Sequence, residues 1–196
     1  MKVLLINGSH NVHGCTDMAL QLIAKELKAN DVESEIVWIG NDPIQDFGGK
    51  HDSDIVNVIG EKMKDCDGLI VGSPTWYAHP TGRLLCLLDR LSTEYGPYLA
   101  HKPASSIMSA RRAGQVIGND IINKHFGINN MPIVSSTYWN LVFGSKPEEV
   151  LQDEEGVDTM INLARNMAWV IKCINAGKEK GVSVPDTPKV KTNFHR

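Results

Sequence analysis

Gly8-Ser9-His10-Asn11-Val12-His13-Gly14-Cys15-Thr16 is the stretch on which the reading of this chain turns. It leaves the short apolar run Val3 to Ile6 and opens directly into a segment whose apolar residues recur at helical spacing. A nearly continuous apolar run of this length suits a strand buried on both faces. A strand, a turn of small residues and a helix start bring backbone N–H groups and the positive end of the helix dipole to one point, which suits an anion.

Working outward, Lys2 to Ile6 is expected as the first strand and Thr16 to Lys28 as a helix with Met18, Leu22, Ala24 and Leu27 on its apolar face. A second strand is predicted at Glu35 to Ile39, a loop at Gly40 to Ser53, and a helix at Asp54 to Lys64 using Ile55, Val58, Ile59 and Met63. Leu69-Ile70-Val71 is a third buried strand. A helix from Thr81 to Leu91 follows, with Leu84, Leu85, Leu88 and Leu91 inward, and Pro97 and Pro103 mark a loop. Ala104 to Met108 and Met131 to Tyr138 read as strands four and five, separated by a helix reaching His125. A long helix is predicted over Glu148 to Ala176, then an extended tail at 181–196 after one domain at 1–180. Met108, Trp139 and Trp169 are assigned to packing.

Strands and helices alternating five times predict an α/β fold, a three-layer, doubly wound sandwich on a five-stranded parallel sheet with right-handed crossovers. In the order 2-1-3-4-5 the ligand crevice lies beside strands one and three, outside the strand C-termini. Three unusual loops follow strands one, three and four, and they converge there.

Composition narrows the function. A chain of 196 residues with 42% hydrophobic content supports one α/β domain. A formal charge of −3 provides no global field for a polyanion, so nucleic acid is not an expected partner. No apolar run approaches the roughly 20 residues that span a bilayer. Met1-Lys2 leads straight into a strand without a signal peptide, so a cytoplasmic location is expected. Cys15, Cys66, Cys86 and Cys173 form no close pair and match no metal spacing; Cys15 falls near the chemistry and the other three read as buried small hydrophobes.

Rival anion sites fail on residues. There is no GxxxxGK[ST] and no GxGxxG, which removes the triphosphate loop and the usual dinucleotide turn. A phosphatase using Cys15 would need an arginine shortly after it, where the chain has Gln21. A phosphoacceptor would need a carboxylate pair after strand one, where Asn7-Gly8 stands. The loop Gly72-Ser73-Pro74-Thr75-Trp76-Tyr77-Ala78-His79-Pro80-Thr81-Gly82 carries two adjacent aromatics and free backbone N–H groups, which suit a planar heteroaromatic ring. The third loop, Ser109-Ala110-Arg111-Arg112-Ala113-Gly114, places two cations at a helix start, where they oppose the dipole unless an anion or ring oxygen compensates. His10, His13 and His79 share this rim without a metal signature.

With these loops in hand, the chain resembles the flavodoxin-like NAD(P)H-dependent FMN reductase family, most closely its iron–sulfur flavoprotein branch. The family's first loop, approximately G-S-x-R-x-x-G-N-T, is matched by Gly8 to Thr16. Its second, S-P-x-aromatic-aromatic followed by T-G-x-L and L-D-R, is matched by Ser73 to Tyr77, Thr81 to Leu84 and Leu88-Asp89-Arg90. The resemblance implies that Ser9, Asn11, Gly14, Cys15 and Thr16 hold the FMN phosphate. It implies that Pro74, Thr75, Trp76, Tyr77, Ala78, Ser109, Ala110 and Gly114 surround the ring; of the two cations on the third loop, Arg111 or Arg112 is expected to steer the phosphates of NADPH or NADH. No amino acid is assigned as a general acid, since the flavin carries the chemistry, and no metal is expected. Asn11 stands where an arginine is common, Cys15 where an asparagine is common, and Asn41 to Asp54 lacks the cysteines of the branch's cluster.

The function implied is an FMN-dependent NAD(P)H oxidoreductase reducing a quinone, free flavin or other small electrophile, as a homodimer or homotetramer. A flavodoxin-type electron carrier, or a flavin-binding module without efficient NAD(P)H turnover, is the alternative. A strongly acidic surface would favour the carrier, and the near-neutral balance does not.

Overall fold

A computed structural model of the chain describes residues 1–45, 54–188, 190 and 192. Much of the loop predicted at Gly40 to Ser53 lies outside the described residues. The first half alternates β1 (Lys2–Asn7), α1 (Cys15–Ala29), β2 (Glu33–Trp38), α2 (Ile55–Lys64), β3 (Gly68–Pro74) and α3 (Gly82–Leu99). The second half holds β4 (Ala104–Ala110), α4 (Gln115–Ile128), β5 (Leu141–Phe143), α5 (Pro147–Val150) and α6 (Glu154–Glu179). The five strands are all parallel in the order β2-β1-β3-β4-β5, as the sequence predicts.

The apolar run of β1 explains the three layers. Leu4 and Ile6 join Leu69 and Val71 under Ile59, Met63, Leu84, Leu87 and Leu88 of α2 and α3. Val3 and Leu5 join Ile70 and Ile107 on the other face, under Leu20, Ile23 and Leu27 of α1 and Leu163 and Met167 of α6. Each such side chain taken fully out of water contributes about 1.5–3 kcal/mol. α2 is fixed to α3 by the buried guanidinium of Arg90, which pairs with Asp54 and Glu94. Asp54 also caps α2, its Oδ1 accepting from the N–H groups of Val56 and Asn57. Burial alone would raise the Asp54 carboxyl, but donation from Arg90 and these N–H groups holds it below the usual value.

Several element boundaries depart from expectation. The segment Met131 to Tyr138 is not strand five. Ile133 makes one bridge to Ala104, and Pro132 offers only its carbonyl, which accepts from Ala104 N–H at 2.8 Å. The chain then swings out and returns as Leu141–Phe143 beside Met108–Ala110. Asn140 fills the gap, its Nδ2 donating to Ser105 Oγ at 2.9 Å and Ser106 O at 3.0 Å. The single helix expected over 148–176 is two, because Asp153 caps α6 by accepting from Gly156 N–H at 3.0 Å. α3 runs past Leu91 to Leu99 and includes Pro97, so that proline does not mark a loop.

The buried stripes shift as well. On α1 it is Thr16, Ala19, Leu20, Ile23 and Leu27, with Met18, Leu22 and Ala24 only half-buried. On α2 Val56 is buried and Val58 is exposed, and on α3 Leu87 lies inward where Leu85 was expected. Met108 is core, whereas Trp139 and Trp169 are exposed. Of the three cysteines read as buried, Cys66 is, Cys86 is half-buried and Cys173 is exposed. Among the described residues no helix is long and apolar enough to cross a membrane.

Candidate functional site

β1 and β3 end side by side where the chain has crossed to opposite sides of β1, which is the switch point of the sheet. Gly8 N–H donates to Gly72 O at 2.8 Å, tying the two loops together as they leave the strands. A Cβ on Gly8 would sit 2.9 Å from that carbonyl and 2.7 Å from Leu84 Cδ2, so only glycine permits this approach.

The first loop is shaped by a ladder of local bonds. Asn7 Oδ1 accepts from Ser9 N–H at 3.0 Å, Ser9 Oγ from Asn11 N–H at 3.1 Å, and Asn11 Oδ1 from His13 N–H at 3.3 Å. Each side-chain oxygen mimics a turn by reaching the amide two residues on. Buried Asn7 also donates to Val12 O at 3.2 Å, and Trp38 Nε1 donates to Ser9 O at 2.7 Å from the end of β2. Asn7 and Trp38 were missed as loop-shaping residues. The alternation Asn-x-Ser-x-Asn was the signal for the first; nothing local points to the second. The ladder delivers the chain to Gly14, the N-cap of α1, which offers no side chain to cap the first turn.

A cavity of about 390 Å³ opens in front of that helix end. It brings together Ser9, Asn11, Gly14, Cys15 and Thr16 from the first loop, Pro74 and Thr75 from the second, and Ser109, Ala110 and Arg111 from the third. His10 lies on its rim. Gly144, Ser145 and Pro147 complete the wall from the loop after β5, a contribution hidden from the sequence because strand five was placed too early. Thr16 and Ser109 share a hydrogen bond of 2.9 Å between their hydroxyls, and Thr75 N–H donates to Ser109 O at 2.8 Å. Thr75 Oγ1 is buried with no partner among the described residues, an orphan hydroxyl on the cavity wall. Among the described residues no Asp or Glu lines this cavity.

Cys15 plays a quiet part. Its thiol donates to Gly144 O at 3.3 Å, joining the first loop to the β5 loop. Burial pushes the thiol up, and Glu149 and Glu148 push it further against its own backbone N–H, so it stays protonated and is a poor nucleophile.

Five of the candidate residues lie elsewhere. Trp76 and Tyr77 line an adjoining groove with His79, meeting the cavity at His10, whose ring stands edge-on to Trp76 at 5.1 Å. Ala78 packs on Gly114, where a Cβ on the glycine would come within 3.3 Å. Gly114, with φ +93, is the N-cap of α4 and again provides no side-chain cap. Arg112 is exposed and does not line the cavity; His13 is exposed, 3.5 Å from Asp17. Among the described residues no group of three His, Cys, Asp or Glu side chains is placed to hold a metal ion.

Comparison with known proteins gives the family and the fold. An iron–sulfur flavoprotein of Methanocaldococcus jannaschii is 27% identical over 191 residues, covering 89% of this chain and 99% of that protein. An FMN-dependent NADPH-azoreductase of Staphylococcus aureus is 32% identical over 104 residues, 48% of this chain and 54% of its own length. Among solved structures, RosB with a bound formylated riboflavin phosphate intermediate superposes with a TM-score of 0.71 at 14% identity, over 100% of this chain and 92% of that one. A flavodoxin from the Archaea superposes with a TM-score of 0.62 at 14% identity, over 88% and 99% of the two chains. These two likenesses speak for the fold alone. The sequence profile of the NADPH-dependent FMN reductases matches residues 1–146, three quarters of the chain. The chain belongs to that family, and with it is a flavoprotein oxidoreductase that takes FMN and NADPH.

Proposed function

We propose that the protein uses NADPH, or NADH, to reduce a quinone, a free flavin or another small electrophile through FMN held in the cavity at the end of β1. The observation that carries this reading is the meeting of an uncapped α1 N-terminus with the hydroxyls of Ser9, Thr16 and Ser109 and the orphan Thr75 Oγ1. That donor set fits FMN. A phosphate gains from first-turn N–H groups and the helix dipole, and a ring with several acceptors gains from the hydroxyl and backbone donors of the second and third loops.

FMN bound in this cavity would supply two-electron redox chemistry between the reduced nicotinamide and the acceptor. The chain's own residues bind and orient. Ser9, Asn11, Gly14, Cys15 and Thr16 would hold the phosphate end, without the arginine common in the family, so backbone N–H groups and hydroxyls carry that charge. Pro74, Thr75, Ser109 and Ala110 would flank the ring, with Ala78 and Gly114 supporting the wall behind them. Arg111 supplies a cation at the mouth, with Arg112 beside it in sequence. With no carboxyl group among the described residues of the cavity wall, and a Cys15 thiol that burial makes a weaker acid, protons for the product would come from solvent.

The enzyme is proposed to act in the cytoplasm, where its unpaired cysteines remain reduced, and to assemble as a homodimer or homotetramer. The test is NADPH oxidation by FMN-loaded protein with naphthoquinone as acceptor. Turnover well above that of free FMN is expected. A rate no higher than free FMN, from protein that retains its flavin, would remove the enzymatic reading in favour of a carrier.

A further inference from the structure

The groove beside the cavity is built for something other than packing. Its volume is about 620 Å³, and His10, Trp76, Tyr77, His79, Pro80 and Arg83 contribute to its wall. Trp76 N–H donates to His79 O at 2.8 Å and His79 N–H to Trp76 O at 2.9 Å, closing a tight hairpin. The two residues at its tip, Tyr77 and Ala78, have φ of +52 and +63. Turns with positive φ at both central positions favour Asn-Gly, because side chains rarely adopt that conformation. Here the strained backbone presents an aromatic ring to water. Tyr77 is 98% exposed and Trp76 is 49% exposed. Strain kept at a loop tip whose aromatic ring packs on nothing points to a binding role.

Arg83 supplies the second half of the site. It sits in the first turn of α3, where a cation opposes the helix dipole. Its Nε is shielded from solvent and has no acceptor among the described residues. Nη1 makes only a 3.4 Å contact with Asn41 Oδ1, and no carboxylate pairs with it among the described residues. Among the described residues no acidic side chain lines the groove. A guanidinium has five donors in a plane and matches two oxygens of a carboxylate, sulfonate or phosphate.

We infer that this groove binds a planar aromatic molecule bearing an anionic group, with its ring against Trp76 and Tyr77 and its anion on Arg83. The inference rests on the proposed reductase reading for its role, which is to select an acidic aromatic acceptor; the phosphate-bearing nucleotide donor is the other source of the same chemistry. Binding itself does not depend on that reading, and the two are tested separately.

FMN content is measured first on the purified protein, and equilibrium binding is then followed with redox-inert naphthalene sulfonate against neutral naphthol. The protein is expected to prefer the sulfonate about tenfold or more, as hydrogen bonds to a charged group allow. Arg83→Gln should erase that preference and Arg83→Lys should restore part of it, while Tyr77→Ser should weaken both probes together. In turnover, Arg83→Gln should raise KM for naphthoquinone sulfonate about tenfold relative to naphthoquinone. A rise in KM for NADPH with no change for the sulfonate would support the site and assign its anion to the donor. Equal affinity for both probes in the wild type, or a preference untouched by Arg83→Gln, would overturn the inference even if the protein holds FMN and oxidises NADPH. Conversely, protein that binds no FMN yet shows the Arg83-dependent preference would keep the groove and lose the reductase.

Discussion

The loops after β1 and β3 border adjoining parts of one crevice and are shaped by opposite means. The first is relaxed: Asn7, Ser9 and Asn11 each bond the amide two residues on. None of the residues from Asn7 to Thr16 has a positive φ. The second is strained, with Tyr77 and Ala78 in the left-handed region and held there by the Trp76–His79 bridge and the contact of Ala78 with Gly114. The difference teaches that a phosphate cradle can be encoded by residues within the loop itself, whereas an exposed aromatic tip has to be imposed by its neighbours.

The largest expected effect tests the frame behind the second loop. Arg90→Met should destabilise the protein by about 3 kcal/mol, because it strands the Asp54 and Glu94 carboxylates, which are only partly in water. Urea denaturation checks it. The sign of the pH dependence follows from Asp54, whose folded carboxyl is held below its usual value. Its contribution is full above the unfolded pKa of about 3.9 and is lost as pH falls through the depressed folded value. The gap between wild type and Arg90→Met should therefore narrow only below about pH 4.

Gly8→Val should cost about 1–3 kcal/mol and weaken FMN, since the new Cβ meets the Gly72 carbonyl, which is backbone and cannot turn aside. Asn7→Ala removes two bonds of the first loop and should cost about 2 kcal/mol, with a matching loss of FMN affinity and no change in probe binding at the groove. Equal losses at both sites would contradict the independence of the two loops. Asn11→Arg should tighten FMN about tenfold by adding a charged donor near the phosphate, read by fluorescence titration. The smallest effect is Tyr77→Gly, which should change stability by less than about 1 kcal/mol, because relief of the left-handed backbone is offset by the entropy of the added glycine.

How much of this was legible follows the same division. β1, α1, α2 and β3 were readable because their apolar runs and stripes are long and their caps are local; Asp54 sits directly before its helix. Strand five was not. Ile133 and Val134 have strand composition, yet the true strand is three residues at 141–143, too short for any periodicity to register. Its placement depends on Asn140 bridging to Ser105 and Ser106, a contact 34 and 35 residues away in sequence. Misplacing it hid Gly144 and Ser145 from the cavity wall. The first loop's ligand-facing residues were visible as a string of small and polar types, whereas the positions of Trp76 and Tyr77 outside the cavity follow from a backbone conformation that no propensity favours.

The central claim is that the β1 loop holds a phosphate, and comparing FMN with riboflavin at equilibrium tests it most directly. Quenching of flavin fluorescence on titration should show FMN bound at least tenfold more tightly than riboflavin, a difference that shrinks in Asn7→Ala and grows in Asn11→Arg. Equal affinity for the two flavins, or no binding of FMN at all, would contradict it.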